Sequence, residues 1–259
     1  MAYDGTDFAG WQYQPGLRTA QQELEDALSL LQGGRSLRTR SAGRTDAGVH
    51  ARRQVADCEL RTHLDDARLK HSLRCMLPPD LRAQALRTVD AGFHSRRDAV
   101  EKVYRYRVDS TSHGNPLLAR YALHHPHRLD RQRLDEALRR LPGRRDWSGF
   151  TASSCVIGQR VRTLTRAEWR EPEEGEGYFV FAADGFLTHM ARNLVGTLLE
   201  IARGRMEPQR VEEILERGDR RLAGPTAPAH GLILWDVRYP NDVERAHRAD
   251  ASVRARGVP

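Results

Sequence analysis

Lysine is nearly missing from this sequence: of 42 basic residues, only Lys70 and Lys102 are lysines. Cysteine is scarce as well. Cys58, Cys75 and Cys155 are odd in number and lack CxxC spacing, which argues against a zinc site and a disulfide framework and fits a reducing compartment. No apolar run approaches the length of a membrane span, and the first residues carry no basic-then-apolar signal. No repeat of solenoid period is present. These absences lead to the expectation of a soluble cytoplasmic protein with no membrane and no metal partner. What the chain has in quantity is charge. Its net charge is +7 and its pI about 9.7, a balance that favours a polyanionic partner. Genome composition can produce an arginine bias, so a merely basic soluble surface is the competing reading. Arginine nevertheless suits RNA, because its flat guanidinium grips phosphate in two places and stacks on bases.

At 259 residues the chain is long enough for one large domain or two smaller ones. Helical periodicity predicts helices over 20–32, 65–77, 130–141 and 188–202, with a further helix from Pro208 to Gly218. Thr19, with Gln22 in capping-box spacing, and Asp130 stand at helix starts; Gly33–Gly34 and Pro78–Pro79 stand at ends. Leu69, Leu73 and Met76 share the inward stripe of the second helix. Short strands are expected at 35–40, at 56–60 from the alternation of Ala56, Cys58 and Leu60, and through 81–89. Longer strands are expected near 100–108, 161–170 and 177–184. The last, YFVFAA, is apolar on both faces, as in a strand lying mid-sheet. Residues 110–128 read as a connection. His124, His125 and His127 flank Pro126 without helical spacing or nearby thiolates, so they are not read as a metal site.

The stretch Ser41–Ala51, SAGRTDAGVHA, places Arg44, Asp46 and His50 among small residues, with Gly43 and Gly48 bracketing the charged pair. Glycines at this spacing suggest a shaped loop, and the strands expected on either side would hold it firmly. A carboxylate displayed there, two residues after a guanidinium, fits a reaction centre. A polar turn with a surface ion pair fits equally well. His50 is expected to hydrogen-bond backbone. In YDGTDFAGWQYQP, Phe8, Trp11 and Tyr13 need a partner surface. AGFHSRRDA mixes Phe93 and His94 with Arg96 and Arg97, a composition suited to a single-stranded RNA contact or to a solvated loop. In EKVYRYRVDS, Lys102, Tyr104, Tyr106 and Val108 share one strand face. Arg192, in GFLTHMARNLVG, lies near a helix N-terminus and off the apolar stripe; a cation there opposes the macrodipole and calls for a carboxylate partner.

Five segments of the chain, in this order, resemble the signature motifs of the tRNA pseudouridine synthases that act on the anticodon stem-loop: YDGTDFAGWQYQ, GRTDAGVH, KVYRY, FLTHMARNLVG and, near the end, APAHGLILWDVRYP. The match spans almost all of residues 3–240. Two departures stand out. Only Met1 and Ala2 precede Tyr3, where the family carries an apolar strand, so either the start has been placed late or the first strand is nearly absent. Ala191 replaces the usual valine. The resemblance implies an α+β fold of two similar halves around a mixed, mostly antiparallel sheet flanked by helices. The halves are expected over 1–100 and 101–240, with 241–259 a loose tail. It further implies that Asp46 is the catalytic aspartate, that Tyr104 stacks on the target base and is involved in proton handling, and that Arg192 pairs with Asp46. The implied partners are tRNA and a second copy of the chain in a homodimer, with no cofactor. Arg44 suits two tasks, favouring the ionised carboxylate and filling the gap left by an extruded base; Tyr106 reads as core. Two rival readings stay open at this point. One is an RNA N-glycoside hydrolase pairing Asp46 with Asp4 or Asp7; the other is a non-catalytic RNA-binding protein.

Overall fold

The computed structural model describes residues 1–155, 157–173 and 175–240. Residues 241–259, read from sequence as a tail, lie outside the described residues. In chain order the elements are β1 (Ala2–Tyr3), α1 (Ala20–Leu31), β2 (Arg40–Ser41), β3 (His50–Ala51), β4 (Ala56–Asp57), α2 (Asp66–Met76), β5 (Leu81–Arg82) and β6 (Glu101–Asp109). They continue with β7 (Leu123–His124), α3 (Arg131–Arg139), β8 (Gly143–Asp146), β9 (Val161–Glu173), β10 (Glu176–Ala183), α4 (Met190–Ala202), α5 (Arg210–Arg217) and β11 (Leu232–Arg238).

The helices start where side chains satisfy their free amides. The Thr19 hydroxyl accepts from the Gln22 amide at 3.3 Å, and Asp65 and Asp130 do the same for Arg68 and Arg133. Leu24, Leu28, Leu73, Leu134 and Leu138 then bury the stripe that their spacing marks out. Met76 does not: it ends α2 and is exposed.

One mixed sheet runs through the described residues in the order β5-β1-β3-β11-β6-β10-β9-β8, with β7 continuing along β6. The pairs β3–β11 and β6–β7 are parallel; the other pairings are antiparallel. This is the α+β class, with a mixed and mostly antiparallel sheet, that the resemblance implied. Three strands are much shorter than the stretches expected at 35–40, 56–60 and 81–89. β5 stops after Arg82 because its partner, β1, offers only Ala2 and Tyr3 for pairing. β2 and β4 pair only with each other, through Arg40–Asp57 and Ser41–Ala56. A strand extends no further than its neighbour's hydrogen bonds allow.

β6 carries the centre of the molecule. It pairs with β10 from Lys102 to Asp109 and with β11 on the other side. Tyr104, Tyr106 and Val108 face the main core with Phe179, Phe181, Met190 and Leu194. Val103 faces the other way, with Val180, Ala182 and the flanking Tyr178 and Trp235. There the Arg105 guanidinium lies over Trp235 at 3.6 Å and over Tyr178 at 4.8 Å from the ring centres.

Candidate active site

The loop between β2 and β3 is held from two sides. The opening stretch wraps onto it: the Trp11 amide donates to the Thr45 carbonyl at 3.0 Å, and the Tyr3 and Thr45 hydroxyls share a hydrogen bond of 2.8 Å. Gly10 makes this approach feasible. Its φ is +97°, and a β-carbon there would lie 2.7 Å from the Thr45 carbonyl oxygen. Phe8 and Trp11 are buried against Tyr3, so two of the three opening aromatics close the core while Tyr13 stays exposed. From the other side, the Gln54 amide donates to the Gly43 carbonyl at 2.7 Å.

His50 ends the loop as a hydrogen-bonding post. The Gly5 amide donates to its Nδ1 at 2.9 Å, and its Nε2 donates to the His230 carbonyl at 3.0 Å. Burial holds His50 below the ordinary histidine value, opposed by nearby Asp4. Asp4 is itself taken up by Thr6, Arg120 and Tyr121, and Asp7 by Arg120. Asp4 and Asp7, either of which a hydrolase reading would pair with Asp46, are thus ion-paired in this outer network.

Asp46 projects from the loop, about one-third exposed. Its Oδ2 accepts from Arg192 Nη1 at 3.1 Å, and His189 Nε2 stands 3.5 Å from the same oxygen. Arg192 is anchored by a second bond, from Nε to the Ala227 carbonyl at 2.8 Å. α4 therefore begins on the carboxylate: the helix N-terminus carries partial positive charge, and the Arg192 cation so near it is matched by Asp46. Arg44 is exposed and forms no ion pair among the described residues. The adjacent Arg–Asp pair that the sequence offers is not the pair that forms.

Tyr104 lies on β6 between Leu234 of β11 and Phe181 of β10. Its ring is buried and meets Phe186 edge-on, with centres 4.8 Å apart. Its hydroxyl makes no hydrogen bond among the described residues, and a β-carbon at Gly43 would lie 3.9 Å from it. Burial pushes the phenol well above the usual tyrosine range, with Tyr3 and Asp46 adding to the shift. Tyr106 is fully buried and donates to the Pro228 carbonyl at 2.9 Å, fixing the segment that also holds Arg192.

Basic groups gather beside the loop. Arg96 donates to the Ser41 carbonyl at 3.3 Å, and burial together with the charge of Arg44 lowers its pKa. Lys102 is buried with no ion pair among the described residues; burial, then Arg96 and Arg162, bring it down to about 8. The repulsion of Arg96 and Arg162 on Lys102 outweighs the attraction of Asp184, an arrangement that favours an anionic ligand. Sequence reasoning singled out neither His189 nor Phe186. Both lie just ahead of Arg192, in a segment whose helical period carries no sign of them. Among the described residues no cluster of three His, Cys, Asp or Glu side chains could hold a metal, and no helix is long and apolar enough to cross a membrane.

A family model described as tRNA pseudouridine synthase matches residues 137–240. The tRNA pseudouridine synthase A of Streptococcus pneumoniae is 41% identical over 240 residues, covering 92% of this chain and 96% of its own. The chain belongs to the tRNA pseudouridine synthase family. The enzyme of the same name from Geobacillus kaustophilus is 42% identical over 243 residues, covering 93% of each chain, and that of Streptococcus mutans 41% over 241 residues. Members of this family are isomerases that convert uridine to pseudouridine in tRNA.

Proposed function

We propose that this chain isomerises uridines of the anticodon stem-loop of tRNA, with Asp46 as the catalytic carboxylate. In the reaction the N1–C1′ glycosidic bond breaks, the uracil turns, and a C5–C1′ bond forms. C5 loses its proton and N1 gains one, so the atoms balance with no oxidant and no cofactor. The observation that carries the reading is the carboxylate of Asp46, accessible to solvent on one side and held by Arg192 on the other. The guanidinium orients the carboxylate and sets a positive charge against it, leaving it placed to serve as a nucleophile or electrostatic partner.

Arg44, exposed and without an ion pair among the described residues, is suited to fill the space of the extruded base. Flipping costs on the order of a few kcal/mol, least where the base is already unstacked. Tyr104 supports the base from the cleft wall. It remains a phenol at neutral pH and acts there as a hydrogen-bond donor rather than as a free phenolate. Arg96 and Lys102 beside the loop suit the phosphates of the flanking nucleotides. We further propose that residues 1–100 and 101–240 act as two halves around this cleft, in a cytoplasmic homodimer that shares one tRNA. The support for that arrangement is the family resemblance.

Tritium release from tRNA carrying 5-tritiated uridine tests the assignment. Wild-type protein is expected to release tritium while the base stays attached. Free uracil in the supernatant would favour the hydrolase instead, and neither product would favour a binding protein.

A further inference from the structure

His189 is the only non-glycine residue at positive φ among the described residues, at φ 61° and ψ 2°. That left-handed conformation disfavours any residue with a β-carbon, although histidine enters it more often than most. The position is the N-cap of α4, where Ser, Thr, Asp, Asn or Gly would ordinarily stand, and the His189 side chain makes no cap hydrogen bond. Local structure therefore supplies no reason for histidine. The reason lies across the cleft, where Nε2 stands 3.5 Å from Asp46 Oδ2, the oxygen that also receives Arg192 Nη1 at 3.1 Å. Asp46 Oδ1 has no hydrogen-bond donor among the described residues.

We propose that His189 is a positioning residue for Asp46: the imidazole and Arg192 together hold Oδ2 and leave Oδ1 aimed at the uridine. A carboxylate held by a single donor can still rotate about its terminal torsion, which has a broad well. An imidazole 3.5 Å from the oxygen that Arg192 holds, three residues before it at the start of the same helix, restricts that rotation. Backbone strain of this kind concentrates at functional sites. The inference rests on Asp46 being the catalytic carboxylate.

His189→Gly separates this role from a structural one, because glycine suits the left-handed backbone while removing the donor. The variant is expected to melt at or above the wild-type temperature, higher by about 2–4 °C if the strain is relieved. Its kcat for tRNA should fall about tenfold, as for loss of a polar contact to a charged group, with KM within about twofold. His189→Asn tolerates the same backbone and keeps an N–H donor, so it should regain part of the lost kcat. A His189→Gly enzyme with wild-type kcat, or with raised KM and unchanged kcat, overturns the proposal. So does a folded His189→Asn enzyme no faster than the glycine variant. Asp46→Asn is assayed beside them: should that variant still turn over, the failure lies in the assignment of Asp46 and not in His189.

Discussion

Arg192 and Asp46 are 146 residues apart in the chain and 3.1 Å apart in the fold. The guanidinium bridges two segments at once, since its Nε holds the Ala227 carbonyl while Nη1 holds the carboxylate. Lysine would keep the charge but lacks the planar fork that reaches both acceptors. Arg192→Lys is therefore expected to fold and to lose about tenfold or more in kcat, the scale of a charged hydrogen bond of about 1.5–3 kcal/mol. Steady-state kinetics on tRNA, with circular dichroism as the folding control, measures this. Wild-type kcat in the lysine variant would show that charge alone suffices.

Asp46→Asn should abolish isomerisation and leave tRNA affinity within about tenfold, or about 1.4 kcal/mol. The side chain is partly exposed and not packed in the core, so its loss leaves the loop's own anchors at Thr45 and Gly43 intact. Filter binding and tritium release on the same protein preparation provide the check. Lost folding or lost binding would make Asp46 a structural residue.

Tyr104→Phe removes a hydroxyl that has no hydrogen-bond partner among the described residues and keeps the ring against Phe186. Its stability should stay within about 1 kcal/mol of wild type, since no internal bond is broken. Turnover should fall. Kinetics equal to wild type would remove the phenol from the chemistry and leave Tyr104 with a packing role.

Lys102 makes stability depend on alkaline pH. Its pKa in the fold, about 8, lies below its ordinary value of 10.5. Between those values the unfolded chain binds a proton that the folded chain does not, so the stability of the fold rises with pH across that window. Below about 8 both states are charged and the contribution is flat. The whole effect is about 3 kcal/mol at most. Urea titrations at intervals from pH 8 to pH 10 should show Lys102→Met rising less than wild type; parallel curves would place the ammonium in water.

The helices were legible because their information is local. Thr19, Asp65 and Asp130 cap within three residues, and the leucine stripes of α1 and α3 repeat within two turns. The facing of Tyr104 and Tyr106 follows from strand alternation alone, as does the central place of β10 from its two apolar faces. The short strands misled for the opposite reason. Alternation marks which residues suit a strand, but β2, β4 and β5 end where their partners end.

By itself, the sequence determined the helices, the loop that bears Asp46, the side of β6 that carries Tyr104, and the excess of positive charge. The first three depend on residues within a turn or a strand of one another, and the charge is a sum over the chain that needs no fold. Only the tertiary structure decided that β11 slots between β3 and β6, that Arg44 makes no ion pair with the neighbouring carboxylate among the described residues, and that His189 takes a left-handed backbone beside it. Those outcomes arise from contacts between distant segments, whose energies depend on which surfaces close against each other and not on the order of residues along the chain.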